Sequence, residues 1–257
     1  VFYHFLLGYF APLAHWLRQT GTSRIAVRDC GPMNVWFESL PNGLDVQIVK
    51  PGVALHSIVG QRTRFHVLTG LDHPHRHKRN KLLAAIEAMR SLVQVEKADY
   101  LPLLVVDRQT SDAFHSGPES ETEMSGAQRR SVPNLPDVCT DLLNPDSYRL
   151  VDMAQVSPSS QIAYASSSRI LVAQHGAGLA HMVWMPPGST VIEIHPPLPD
   201  EAVDIFRNLA HVLGHRYIRI EQQGVHAPID GQALISAIQR GFDDAVIKDP
   251  TIASLRP

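Results

Sequence analysis

Five short apolar runs punctuate the second half of this chain: LLVVD (103–107), YRLVD (148–152), RILVAQ (169–174), STVIEI (189–194) and HRYIRI (215–220). Each is bounded by Pro, Gly or polar clusters, the pattern of a buried strand. Helical patterns separate them. Ser157 followed by Pro158 predicts an N-cap and first turn for a helix through about Ala165. Gly176 to Met185 predicts a second helix. Asp200 is expected to cap a third, with apolar residues at 202, 203, 206, 209, 210 and 213 along one face. Strands alternating with helices specify βαβ units and a mostly parallel sheet.

The first half follows the same plan less regularly. Residues 2–18 read as an amphipathic core helix, RIAVR (24–28), VQIV (46–49) and FHVL (65–68) as strands, and 77–97 as a long helix. Segment 109–134 is polar and aperiodic, a long loop beside the first strand of the second half. At roughly 100–200 residues per domain, 257 residues make one large or two small domains. The simplest architecture is two α/β halves, 1–97 and 98–257, facing a cleft.

Composition excludes several classes. Hydrophobic residues at 44% and charged residues at 19% supply a core and argue against wholesale disorder. Lys plus Arg at 23 against Asp plus Glu at 25 gives a formal charge of −2, so a nonspecific nucleic-acid binder is not expected. Cys30 and Cys139 lie in no CxxC pair, which argues against a zinc knuckle. No window holds the 18 or more apolar residues of a membrane span. The chain starts at Val1, so further residues are expected before it. The expected location is the cytoplasm, with or without membrane association; an N-terminal anchor ahead of Val1 would instead place it in the secretory-pathway lumen.

The segment richest in chemistry is RILVAQHGAGLAHMVWMPPGSTVIEIHPP (169–197). A buried strand ends at Gln174, and His175-Gly176-Ala177-Gly178-Leu179 turns directly into a helix. Glycines at such a junction let backbone approach a ligand, and the helix N-terminus suits a phosphate. Its place beyond the carboxyl end of a parallel strand is where open α/β sheets bind ligands. The competing reading is a tight turn that needs small residues for packing. The turn is neither GxGxxG nor a Walker loop with its Lys, so neither a dinucleotide enzyme nor a P-loop NTPase is indicated.

HGAGLAHMVWMPPGSTVIEI (175–194) resembles the signature of glycosyltransferase family 61, a group of inverting GT-B transferases. Ser159-Ser160-Gln161-Ile162 and Ala165 are similar to the helix before that family's HGAG strand. Arg108 after LLVVD, the Arg129-Arg130 pair and Asn134 resemble its arginine and asparagine positions. YHFLLGYFAPL (3–13) is similar to its N-terminal segment, in which a His-Phe pair opens a helix. Gly8 stands where members often carry an acidic residue, and the spacing from the paired arginines to Asn134 is about a residue longer. The resemblance implies a GT-B fold of two Rossmann-like parallel-sheet domains. It implies transfer of a sugar, with inversion, from a nucleotide-sugar donor, expected to be a UDP-sugar, to a glycan acceptor hydroxyl, as in polysaccharide biosynthesis. A non-catalytic nucleotide- or glycan-binding module and a nucleotide-sugar epimerase on a similar scaffold stay open.

The residue chemistry runs the same way. A diphosphate leaving group gains charge as the glycosidic bond breaks, and arginines with helix-terminal N–H groups can stabilise it without a metal. Arg108, Arg129, Arg130, the backbone from His175 to Leu179 (Gly176, Ala177 and Gly178 between them) and Glu193 are therefore the expected donor-binding residues, Glu193 through ribose hydroxyls; the resemblance implies Asn134 as a further one. For the arginines the alternative is a solvated surface charge, and for Glu193 a strand-end carboxylate in water. The chain has no Asp-x-Asp, so neither cofactor nor metal is expected. Asp72-His73-Pro74-His75-Arg76-His77 invites a metal reading, but Pro74 and its basic neighbours favour a solvated turn. His175, at the turn itself, is either a donor ligand or a satisfied structural histidine. His4 and Asp72 are the first-half candidates for the acceptor base, with His175 as the third catalytic candidate.

Overall fold

The computed structural model describes residues 2–53, 70–72, 79–108, 129–198 and 204–248. The predicted strand at 65–68, the histidines at 73–77, most of the 109–134 loop and Asp200 lie outside them. The chain divides into two compact units, residues 1–95 and 96–257. Among the described residues no helix is long and apolar enough to cross a membrane.

In the first unit, helix α1 (Phe2–Phe5) runs through a π-turn at Leu6–Phe10 into α2 (Ala11–Thr20). The expected single helix is thus present but locally widened. Ala11 donates to the carbonyl of Leu6, five residues back, and Pro12, which has no N–H to give, follows in the first turn of α2. Leu6, Leu7 and Phe10 are fully buried, and Phe10 meets the rings of Phe5 and Trp36. β1 (Arg24–Arg28) and β2 (Asp45–Val49) pair in parallel. Helix α3 (Arg79–Leu92) stops short of the expected 97, because the Gln94 N–H leaves the helix to bond the Ser39 carbonyl.

The second unit carries a five-stranded, fully parallel sheet: β3 (Leu103–Val106), β4 (Tyr148–Val151), β5 (Ile170–Gln174), β6 (Thr190–His195) and β7 (Arg216–Glu221), in the order β4-β3-β5-β6-β7. This is the predicted Rossmann-like α/β fold. One sheet face, including Val105, Val172, Ile192 and Ile220, is covered by α4 (Leu135–Leu142) and by α7 (Gly231–Lys248) through Leu234, Ile238 and Phe242. The other side of the sheet meets α6 (Ile205–Leu213) and a 3₁₀ helix at Ala177–Trp184, against which α5 (Pro158–Ser166) packs. Ser157 caps α5 as expected, its hydroxyl accepting from the Ser160 N–H at 3.1 Å. The helix predicted at 176–185 is a 3₁₀ helix instead.

The strand order places the site. The chain leaves β3 toward β4 and later leaves β5 toward β6, on the opposite side. The carboxyl ends of β3 and β5 are therefore the point at which an open sheet's connections diverge and leave a crevice.

Candidate functional site

Two arginines converge at that crevice. Arg108 follows β3 by two residues, and its Nη2 donates to the His175 carbonyl just past β5 at 3.3 Å. Arg130 donates to the same oxygen through Nη1 at 2.9 Å. The Arg130 segment is tied down by its neighbour: the Ser131 carbonyl accepts from Gln174 Nε2 at 3.0 Å and from Gln222 Nε2 at 2.8 Å. Arg129 is exposed and Arg130 buried. Among the described residues no carboxylate forms an ion pair with Arg108, Arg129 or Arg130. Burial, then the charges of Arg130 and Arg129, push Arg108 down to about 10. Burial and Arg129 lower Arg130 as well, against the opposing pull of Glu193. Like charges held together with no ion-paired carboxylate among the described residues favour an anion.

The two glycines of the turn do different jobs. Gly176 sits at φ 140°, where side chains are strained, and a Cβ there would lie 1.9 Å from Arg108 Nη2. Gly176 therefore makes room for the guanidinium. A Cβ on Gly178 would instead lie 3.0 Å from Val106 Cγ1 and 3.6 Å from Ala173 Cβ. Gly178 lets the 3₁₀ helix pack on the sheet, as the competing reading of the turn held. Leu179 is fully buried core, so its part in the site is confined to backbone: its N–H closes the turn onto the Gly176 carbonyl at 3.0 Å. Ala177, partly exposed, opens the helix.

Glu193 corrects the sequence reading. It neither ends its strand nor faces water: it is 0% exposed, and both carboxylate oxygens are occupied. Oε1 accepts from His175 Nδ1 at 2.5 Å, and Oε2 accepts from the Tyr217 hydroxyl at 2.6 Å. Each oxygen thus already accepts one hydrogen bond from a protein group. His175 in turn packs edge-on against the rings of His195 and Phe206 and keeps 6% side-chain exposure. With Nδ1–H given to Glu193, Nε2 is the ring nitrogen not used in that bond.

Asn134 is also spent on structure. Its Nδ2 donates to the Ile229 carbonyl and its Oδ1 accepts from the Ile229 N–H, each at 2.9 Å. Losing both bonds would strand backbone groups, which costs about 1–3 kcal/mol for a buried polar group. Asn134→Ala is thus expected to lower the melting temperature while calorimetry shows unchanged nucleotide affinity; weakened affinity with an unchanged melt would restore Asn134 to the site.

In the first unit His4 and Asp72, named as alternatives, form one pair. His4 Nδ1 donates to Asp72 Oδ2 at 2.8 Å, and Tyr3 donates to the Asp72 carbonyl at 2.8 Å. The Asp72 carboxylate packs against Gly8 and Gly70, whose added Cβ atoms would lie 3.3 Å from Asp72 Cγ and 3.1 Å from Oδ1. His4 is exposed.

His175, Glu193 and His195 bring ligating atoms within 4.8 Å of one another, a possible metal donor set. Neither ring nitrogen of His195 has a hydrogen-bond partner among the described residues. In this arrangement His175 Nδ1 and Glu193 Oε1 are spaced as a hydrogen-bonded pair, closer than the roughly 3.3 Å between two ligands of one tetrahedral zinc at ordinary bond lengths.

The glycosyltransferase 61 family model matches residues 2–192. The chain belongs to glycosyltransferase family 61. No curated protein matches it. This family 61 transferase therefore acts on a sugar donor and an acceptor. Arg108, Arg130 and the 175–178 turn lie within the matched span, whereas Glu193, His195 and Tyr217 lie beyond it. Tyr217 was missed by sequence reasoning. The available signal was alternation in HRYIRI, which puts Tyr217 and Arg219 on one side of a strand and the core residues Ile218 and Ile220 on the other.

Proposed function

We propose that this family 61 transferase moves a sugar from a UDP-sugar to a glycan hydroxyl with inversion and without a metal. The observation that carries the reading is the convergence of Arg108 and Arg130, with Arg129 nearby, on the His175 carbonyl with no carboxylate partner among the described residues. A diphosphate supplies the missing negative charge, and the arginines stabilise it increasingly as it leaves. The GT-B organisation belongs to the same proposal: the second unit takes the donor, the first the acceptor and its base.

In the first unit Asp72 accepts from His4 Nδ1 and so leaves Nε2 to take the acceptor proton. The acceptor oxygen then forms the new bond to the anomeric carbon. The old bond to phosphate breaks in line, and its electron pair departs with UDP. One displacement inverts the centre.

Transfer from UDP-sugar is expected to persist in excess EDTA, measured by UDP release with acceptor present. Complete loss on chelation, restored by manganese, would overturn the metal-free reading and bring back the histidines at 73–77 and the His175–Glu193–His195 set.

A further inference from the structure

His175, Glu193 and Tyr217 come from three adjacent parallel strands or their immediate end, β5, β6 and β7, and lie side by side across the sheet. The phenol donates to one oxygen of a fully buried carboxylate, and the other oxygen receives the imidazole N–H. The core on one sheet face is apolar, and a buried carboxylate is expensive unless each lone-pair direction is met. One of its two partners is His175, whose carbonyl is the oxygen that gathers Arg108 and Arg130. The same residue thus meets the donor site through its backbone and the carboxylate through its ring.

We infer that Glu193 and Tyr217 are positioning residues for the transfer, acting through His175: they hold its proton on Nδ1 and present Nε2 to the donor. The inference rests on the donor-site reading above. Tyr217 confines the carboxylate to one rotamer and tempers its charge, so the Nδ1 proton stays on the ring. An unbraced Glu193 can swing off the imidazole or draw the proton away, and either change alters what Nε2 offers the ligand. Phe206 and His195 pack against the ring in T-shaped contacts but cannot choose its tautomer.

Two measurements test this. The first is a double-mutant cycle on kcat. Tyr217→Phe, which keeps the ring and removes one oxygen, should lower kcat about tenfold, the loss of one hydrogen bond to a charged group, with UDP affinity changed less than twofold. In a His175→Ala background the same substitution should change kcat less than twofold, because its effect travels through the missing ring. Effects that multiply instead would overturn the inference, since a general structural role acts in either background. Glu193→Gln, of the same shape, serves as the second variant and should show the same non-additivity. The second measurement is nitrogen-15 NMR of the imidazoles in ligand-free protein, which needs no donor. His175 should carry its proton on Nδ1 in the wild type, with that resonance moved by Tyr217→Phe. A proton on Nε2 in the wild type, or a resonance indifferent to Tyr217→Phe, would overturn the chain. Wild-type protein that binds no UDP yet shows the Nδ1 tautomer and its shift would sink the donor reading and leave the chain standing.

Discussion

Gly176→Val is expected to lose UDP binding while still folding, and Gly178→Val to lose the fold. At Gly176 the added Cβ collides with the tip of the Arg108 side chain at 1.9 Å. That tip is flexible and swings away, so the collision costs the donor site its guanidinium rather than the protein its core. The backbone adds strain, since φ 140° costs a residue with a side chain on the order of 1–3 kcal/mol. Gly176→Ala should already weaken UDP affinity through the same displacement. At Gly178 the obstacle is Val106 Cγ1 at 3.0 Å, on a central strand that cannot retreat. Even Gly178→Ala should cost about 1–3 kcal/mol of overpacking. Calorimetry with UDP and thermal melts on the same preparations separate the two. Wild-type UDP affinity in Gly176→Ala would reduce that glycine to a turn residue.

The second large effect combines affinity and stability with opposite signs. Arg108→Met should weaken UDP binding by about 10–150-fold, the range for losing a hydrogen bond to a charged group, and should raise the melting temperature of the ligand-free protein. The reason is electrostatic. In the folded protein Arg108 is held at about 10, below the ordinary value for arginine, by burial and by Arg130 and Arg129. The unfolded chain therefore binds that proton more tightly. The resulting cost is fully present at neutral pH and fades only as pH rises through about 10 toward the ordinary value. Methionine keeps the packing and removes the charge, so the repulsion disappears in the absence of donor. Arg130→Met should behave alike, whereas exposed Arg129→Ala should change UDP affinity less. A lowered melting temperature with unchanged UDP affinity for Arg108→Met would show a structural arginine and remove it from the donor site.

A functional site that costs stability is expected wherever a protein prepares for a charge it does not itself contain. Here the cost falls on the two arginines that meet at one carbonyl. Glu193, whose charge pulls on Arg130, is committed elsewhere, to His175 and Tyr217. Were it free to pair with Arg130, the cluster would be neutralised before a donor arrived.

Much of this was legible in the residues alone because it depends on neighbours in sequence. β-Branched runs between Pro and Gly marked all five strands of the second unit to within about a residue, and Ser157-Pro158 marked a helix start that the hydroxyl in fact caps. Arg108 and the HGAG turn were correctly read as strand-end features, since a strand's last residue is a local property. Other features depended on distant partners. Ile229, 95 positions on from Asn134, bonds both ends of its amide, and Val106 lies beneath Gly178. The sequence by itself determined that this chain builds a parallel α/β sheet with a glycine turn and arginines at strand ends, because alternation and punctuation are encoded within a few residues. Only the tertiary structure decided that β3 and β5 lie side by side, which brings Arg108 to His175, and that β7 follows β6, which brings Tyr217 to Glu193. Strand order is a choice among non-local pairings of similar apolar segments, and no short stretch of sequence carries it.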